Sequence, residues 1–174
     1  AVPGAMHITE HRALRGPNLY SRYPAVYMLL NIGDLEDRPS DLMPGFTQRL
    51  LTILPSLREH RCSPGYVGGF VERLERGTWA AHIVEHVALE LQCLAGMDVG
   101  FGKTRETGER SVYSIVYRYR DEEAGLQAGE DAVSIVHALA HNLPVDLPAI
   151  IQKLKEIRED NLFVPLFLGA LLAL

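Results

Sequence analysis

The sequence predicts an α+β domain: a small mixed or antiparallel sheet packed with several helices, one of them central and carrying a chemical motif. Three observations carry this expectation. His7–Leu14 and the apolar run Ala25–Ile32 have strand length, Ser111–Arg120 alternates well enough for a third strand, and helical segments lie between and after them. Strands and helices follow no regular strand–helix–strand rhythm, so a parallel α/β sheet is disfavoured. At 174 residues and 47% hydrophobic, the chain suffices for one domain with a real core.

Taken in order, Arg15-Gly16-Pro17-Asn18 is a turn signal that closes the first strand, and Gly33-Asp34 ends the second. Asp34–Pro44 reads as a loop. Gly45–His60 reads as an amphipathic helix, with Phe46, Leu50, Leu51, Leu54 and Leu57 at helical spacing and Pro55 predicting a kink or a split. A glycine-rich loop, Arg61–Phe70, and a short helical lead-in to Arg76 precede the motif helix. After that helix, Gly96–Arg110 reads as a polar functional loop. In the third strand Val112, Ile115 (after a slip), Tyr117 and Tyr119 are the expected inward residues. Asp121–Asn142 reads as a long helix facing inward with Ala128, Ala132, Val133, Val136, Leu139 and Ala140, and Leu147–Arg158 as another.

Both ends fall outside the predicted domain of residues 6–160. Ala1–Ala5 read as a cloning remnant with Met6 the natural start, and no secretory leader pattern is seen. Leu162–Leu174 is almost wholly apolar yet too short to span a bilayer as a helix. Packing on the domain, packing on a neighbouring copy and a non-native tail remain open for it. The net charge of −5 without a basic run argues against nucleic acid as partner. Cys62 and Cys93 make no disulfide framework, suit a reducing cytoplasm, and read as small core residues rather than ligands.

The central stretch runs from Thr78 to Gln92 and contains His82-Ile83-Val84-Glu85-His86, the reversed form of the zincin helix motif. Thr78 is the expected N-cap and Gly96 the expected stop. Ile83, Val84, Val87, Ala88, Leu91, Leu94 and Ala95 share one apolar arc, with His82, Glu85 and His86 opposite. Neither Lys nor Arg occurs between Thr78 and Met97, so the helix reads as covered on both sides. Two imidazoles and a carboxylate in a confined place need compensation, and a divalent metal would provide it. Residues four apart on a helix lie about 6 Å apart on one face. His82 and His86 could therefore hold one zinc ion, with Glu85 beside the water it activates. The third ligand is open between Glu122, Glu123 and Glu106, with Glu122 favoured; Glu90 lies too far along the helix axis. Packed, structural histidines are the alternative, because five-residue patterns of this kind recur by chance. His7, His11, His60, His137 and His141 show no partner pattern. Lys103 and Arg105 read as anchors for a substrate carboxylate, or as a solvated pair.

Leu14–Asn18, Asp34–Asp37, Pro44–Phe46, Leu54–Leu57, Cys62–Gly65 and Gly68–Phe70 together resemble the amino-terminal domain of cyanophycin synthetase. So do Gly77-Thr78, His82–Gln92, Leu94–Met97 and Gly100–Thr107. The resemblance runs from about Leu14 to Arg158; it departs after Asp160 and at Lys103, where arginine is expected. It implies a part of a homotetrameric enzyme in which this domain precedes an ATP-grasp and a Mur-ligase-like domain. It also implies cyanophycin as partner, a storage polymer with a polyaspartate backbone and an arginine on each side-chain carboxylate. Neither ATP-using domain is present here, and Gly100–Thr104 lacks P-loop spacing, so the fragment is not expected to polymerise anything. In members that keep His-x-x-Glu-His the resemblance implies a metallopeptidase-like hydrolase that cuts the polymer into primers. On that reading His82, His86 and Glu122 hold zinc, Glu85 is the general base, and Arg105, Lys103 and Glu106 meet the substrate. The alternative is a non-catalytic module that binds polymer and supports the tetramer.

Overall fold

The computed structural model describes residues 4–62 and 65–171, with helix backbone alone for 163–171. Ala1–Pro3 of the expected remnant, Ser63-Pro64 and the side chains of most of the apolar tail lie outside that description.

Four antiparallel strands form one sheet in the order β1-β2-β4-β3. They are β1 (His7–Leu14), β2 (Ala25–Asn31), β3 (Gly102–Glu106) and β4 (Val112–Arg118). Direct register pairs of β2 and β4 place Val26 opposite Tyr117, Met28 opposite Ile115 and Leu30 opposite Tyr113. All six side chains are buried, so this is the face that carries the core. The inward set of β4 is thus Tyr113, Ile115 and Tyr117, with Tyr119 beyond the strand. Val112, expected inward, belongs to the other phase, because no slip interrupts the ladder.

The helices are α1 (Phe46–Ile53), α2 (Gly69–Arg76), α3 (Ala80–Leu94), α4 (Glu122–Ala140) and α5 (Leu147–Leu171). Of these, α3 and α4 pack against the strands, and α1 and α5 pack on α4. Pro55 splits the predicted Gly45–His60 helix, as a ring without an N–H must, leaving α1 and a 3-10 turn at Pro55–Glu59. Asp34–Pro44 is not plain loop but holds two short 3-10 turns. α4 starts on Asp121, whose carboxylate accepts from the Ala124 N–H at 2.8 Å. It approaches the sheet so closely that a Cβ on Gly129 would strike the Tyr117 hydroxyl. No helix among the described residues is long and apolar enough to cross a membrane.

α3 lies between α4 on one side and β3 and β4 on the other. From Ala80 to Gln92 every residue is buried except His82, which is partly so. The expectation of a helix covered on both sides therefore holds. Gly96 stops it as C′, at φ +85° with the Met97 N–H returning to Gln92 O. Thr78 is not its N-cap. Trp79 holds that position without a side-chain cap, and the Thr78 hydroxyl turns to His82 instead.

The largest departure from the sequence reading is β3, which forms inside the stretch expected to be loop. Its Gly-Lys-Thr-Arg-Glu sequence has no apolar alternation, because an edge strand needs little burial and favours charge. β3 brings Gly102 and Thr104 onto the core-side face, opposite Tyr117 and Ile115, and so against α3.

Candidate active site

An open cleft of about 1050 Å³ lies along the amino-terminal half of α3, between the turn at Glu59–Cys62 and β3. His82, Glu85 and His86 line it, as do Lys103, Arg105 and Glu106. The structure therefore brings the motif and the three expected substrate residues to one place. Glu122 and Glu123 do not line it. Glu122 gives both carboxylate oxygens to the Arg15 guanidinium, at 2.7 and 2.9 Å. That pair holds its carboxyl below the usual value at the far start of α4.

The donor atoms that do converge are those of Cys62, His82 and His86, all within 4.8 Å of one another. Cys62 Sγ sits 3.3 Å from His82 Nε2. Cys62 was expected to be a small core residue; it reaches the histidines because the chain doubles back after the Pro55–Glu59 turn, with an Arg61–Val67 bridge closing the loop. Glu106, the third carboxylate candidate, lines the cleft but is not among the converging atoms.

Each histidine is oriented by protein. His82 Nδ1 is 2.8 Å from the Thr78 hydroxyl. Thr78 is in turn fixed by its own N–H to Ser40 Oγ, and the Ser40 hydroxyl donates to Leu74 O. The Phe70 ring stacks on His86 at 3.9 Å between centroids and meets His82 edge-on at 5.6 Å. Burial drives His82 down to about 4, helped by the positive charge of Arg73. Burial also drives His86 well below its ordinary value, with His82 and His60 adding to it. Both rings are therefore neutral at neutral pH, the form in which imidazole gives a lone pair.

Glu85 is only 6% exposed. Desolvation raises its carboxyl to about 7, against the opposing hydrogen bond that Thr104 donates to Oε2 at 2.6 Å. A Cβ on Gly102 would collide with the Glu85 side chain, so any larger residue at that point of β3 would displace the carboxylate. A carboxyl poised near neutral pH is suited to take a proton and return it.

Reading the sequence missed several participants. His60 sits between His86 and Glu90, and Ser56 holds Glu90. Arg73 and Thr104 were likewise not singled out, and Thr78 was read only as a helix cap. One signal was available: Glu90 is a carboxylate four residues after His86 on a covered helix, so a partner had to exist.

Comparison with known proteins agrees with the earlier resemblance. The cyanophycin synthase-like N-terminal domain family matches residues 27–141. Cyanophycin synthetase of Synechocystis sp. is 47% identical over 156 residues, 88% of this chain and 18% of that protein. Those of Crocosphaera subtropica and Trichormus variabilis are each 46% identical, over 88% and 89% of this chain and 18% of theirs. The chain thus spans about a fifth of the length of the curated relatives it matches.

Proposed function

The chain belongs to the cyanophycin synthase-like N-terminal domain family, and on that basis we propose that it is a zinc-dependent hydrolase domain that cleaves cyanophycin into shorter chains. The observation that carries this reading is the convergence of Cys62, His82 and His86 beside a carboxyl held near neutrality. One thiolate and two neutral imidazoles are a donor set that zinc prefers. Three protein ligands leave a position open, as a catalytic rather than a structural site requires. Cys62 replaces Glu122 as the proposed third ligand, because Glu122 is committed to Arg15.

Zinc, when bound, acts as a Lewis acid and lowers the pKa of a coordinated water to about 7. The chain's own groups do the rest. Glu85 Oε2 is held by Thr104, which leaves Oε1 to take the proton of the attacking water and pass it to the leaving amine. Gly102 keeps the space beside that carboxylate clear. Arg73, Lys103 and Arg105 line the cleft with positive charge, and Glu59 and Glu106 with negative charge. An arginine linked through its amino group keeps both a guanidinium and a carboxylate, so this mixed lining suits the side chains of cyanophycin. We infer that the products prime the ATP-grasp and Mur-ligase-like domains of a longer, homotetrameric synthetase in the cytoplasm.

A second reading, a module that holds polymer and supports the tetramer without cutting it, has one observation in its favour. The rings of His82 and His86 already have protein partners in Thr78, Cys62 and His60. Zinc analysis of protein purified without chelator, run alongside a polymer-shortening assay, separates the two. Bound zinc and shortened polymer support the hydrolase; no zinc, with no activity gained on adding it, supports the holding module.

A further inference from the structure

Glu90 is a buried acid that the proposed chemistry does not use. It lies one helical turn after His86 on the same side of α3. Both of its oxygens are engaged. The Ser56 hydroxyl donates to Oε1, and His60 Nε2 lies 2.7 Å from Oε2. The other nitrogen of that ring, His60 Nδ1, lies 3.0 Å from His86 Nδ1. Two side chains of α3 and two from the Pro55–Glu59 turn and its C-cap thus form one hydrogen-bonded line, Ser56–Glu90–His60–His86. His60 itself is not among the converging donors of Cys62, His82 and His86.

We propose that Glu90 and His60 are positioning residues that fix the tautomer of His86, so that Nε2 is the nitrogen presented to the metal. The argument is an inventory of hydrogens. A carboxylate can only accept, so the Glu90 oxygen requires a hydrogen on His60 Nε2. A neutral His60 then has a bare Nδ1, which can only accept. With His60 neutral, the short contact between the two Nδ1 atoms is His86 Nδ1–H donating to His60 Nδ1. A neutral ring has one N–H, so His86 Nε2 is left with its lone pair free. Reversing the line, with a hydrogen on His60 Nδ1, would put the His86 hydrogen on Nε2 and block that ligand. The stacked Phe70 ring holds the plane of His86 while this line sets its rotation and its hydrogen. A carboxylate behind a ligating histidine is a recurring device for orientation; here the carboxylate acts through a second histidine.

The proposal rests on the metal reading for its affinity measurement but not for its spectroscopic one. Nitrogen-15 NMR of the full 174-residue chain, metal-free, reports which nitrogen of each histidine carries hydrogen. The expected result is His86 as the Nδ1–H tautomer and His60 as Nε2–H. Zinc affinity is then measured by chelator competition for wild type, Glu90→Leu, His60→Leu and His60→Gln. Each leucine variant should lose about 10- to 100-fold in affinity, and His60→Gln, which keeps an acceptor and a donor in one side chain, should recover most of it. An Nε2–H His86 in the wild-type protein overturns the proposal, even where a variant fails to fold. Leucine variants that bind zinc as tightly as wild type also overturn it. A wild-type chain that binds no zinc refutes the metal reading instead, and the tautomer result still decides the hydrogen-bonded line.

Discussion

Cys62 Sγ lies 3.3 Å from His82 Nε2, across twenty residues of chain. This contact moves the proposed metal site from two histidines and a distant carboxylate to two histidines and a thiol on a neighbouring loop. Cys62→Ser should weaken zinc binding by more than the roughly 10- to 100-fold that loss of an outer partner costs. Glu122→Gln should leave zinc binding unchanged, because that carboxylate serves Arg15. Chelator competition on the two variants checks both, and the reverse pattern would restore Glu122 as the ligand.

Zinc binding should also release a proton. A cysteine holds zinc as its thiolate, so a metal placed between Cys62 Sγ and His82 Nε2, now 3.3 Å apart, displaces a hydrogen. Affinity should therefore fall as pH is lowered, and calorimetry in buffers of different ionisation heat measures the release. Binding with no buffer dependence would contradict it.

Glu85 supplies a pH dependence of stability in the metal-free protein. Its carboxyl rises on folding from an ordinary 4.5 to about 7, through desolvation. The stability linked to it is fully present below the lower value and is lost as pH rises through the upper one. Glu85→Gln cannot ionise. From about pH 5 to about pH 8 its unfolding free energy should gain on wild type by roughly 2 kcal/mol. Denaturant titrations at the two pH values check this; parallel behaviour of the two proteins would contradict the buried acid.

Gly102 and Thr104 reach Glu85 from β3, so they should affect cleavage and not metal. Gly102→Ala places a methyl against the Glu85 carboxylate. A displacement of about 1 Å should cost on the order of 100-fold in cleavage rate while zinc affinity stays near wild type. Thr104→Val removes the hydrogen bond that favours the ionised base. The acid limb of its pH–rate profile should therefore move to higher pH. Steady-state rates of both variants across pH are the check.

The sequence was most legible where structure is local. The α3 helix, its Gly96 stop and its double coverage follow from periodicity and the absence of Lys and Arg over twenty residues, and Pro55 announced its own break. β3 was not legible, because a charged edge strand has no hydrophobic alternation to read. In β4 only Val112 was placed on the wrong face, because Val112 and Val116, on the opposite face to Tyr113 and Tyr117, are buried too. Cys62 and His60 could not be placed from spacing, since the turn that carries them to α3 is fixed by tertiary packing. Glu90 could have been questioned on burial alone, yet distance along the helix from His82 set it aside as a ligand, the only role considered for it.

The most direct test is Glu85→Gln, assayed for zinc content and for shortening of purified cyanophycin. The amide keeps the shape of the side chain but cannot take the water's proton. The variant should bind zinc as wild type does and lose at least about 100- to 10,000-fold of the cleavage rate. Equal shortening of the polymer by Glu85→Gln and wild type would contradict the assignment of this cleft as a hydrolase site.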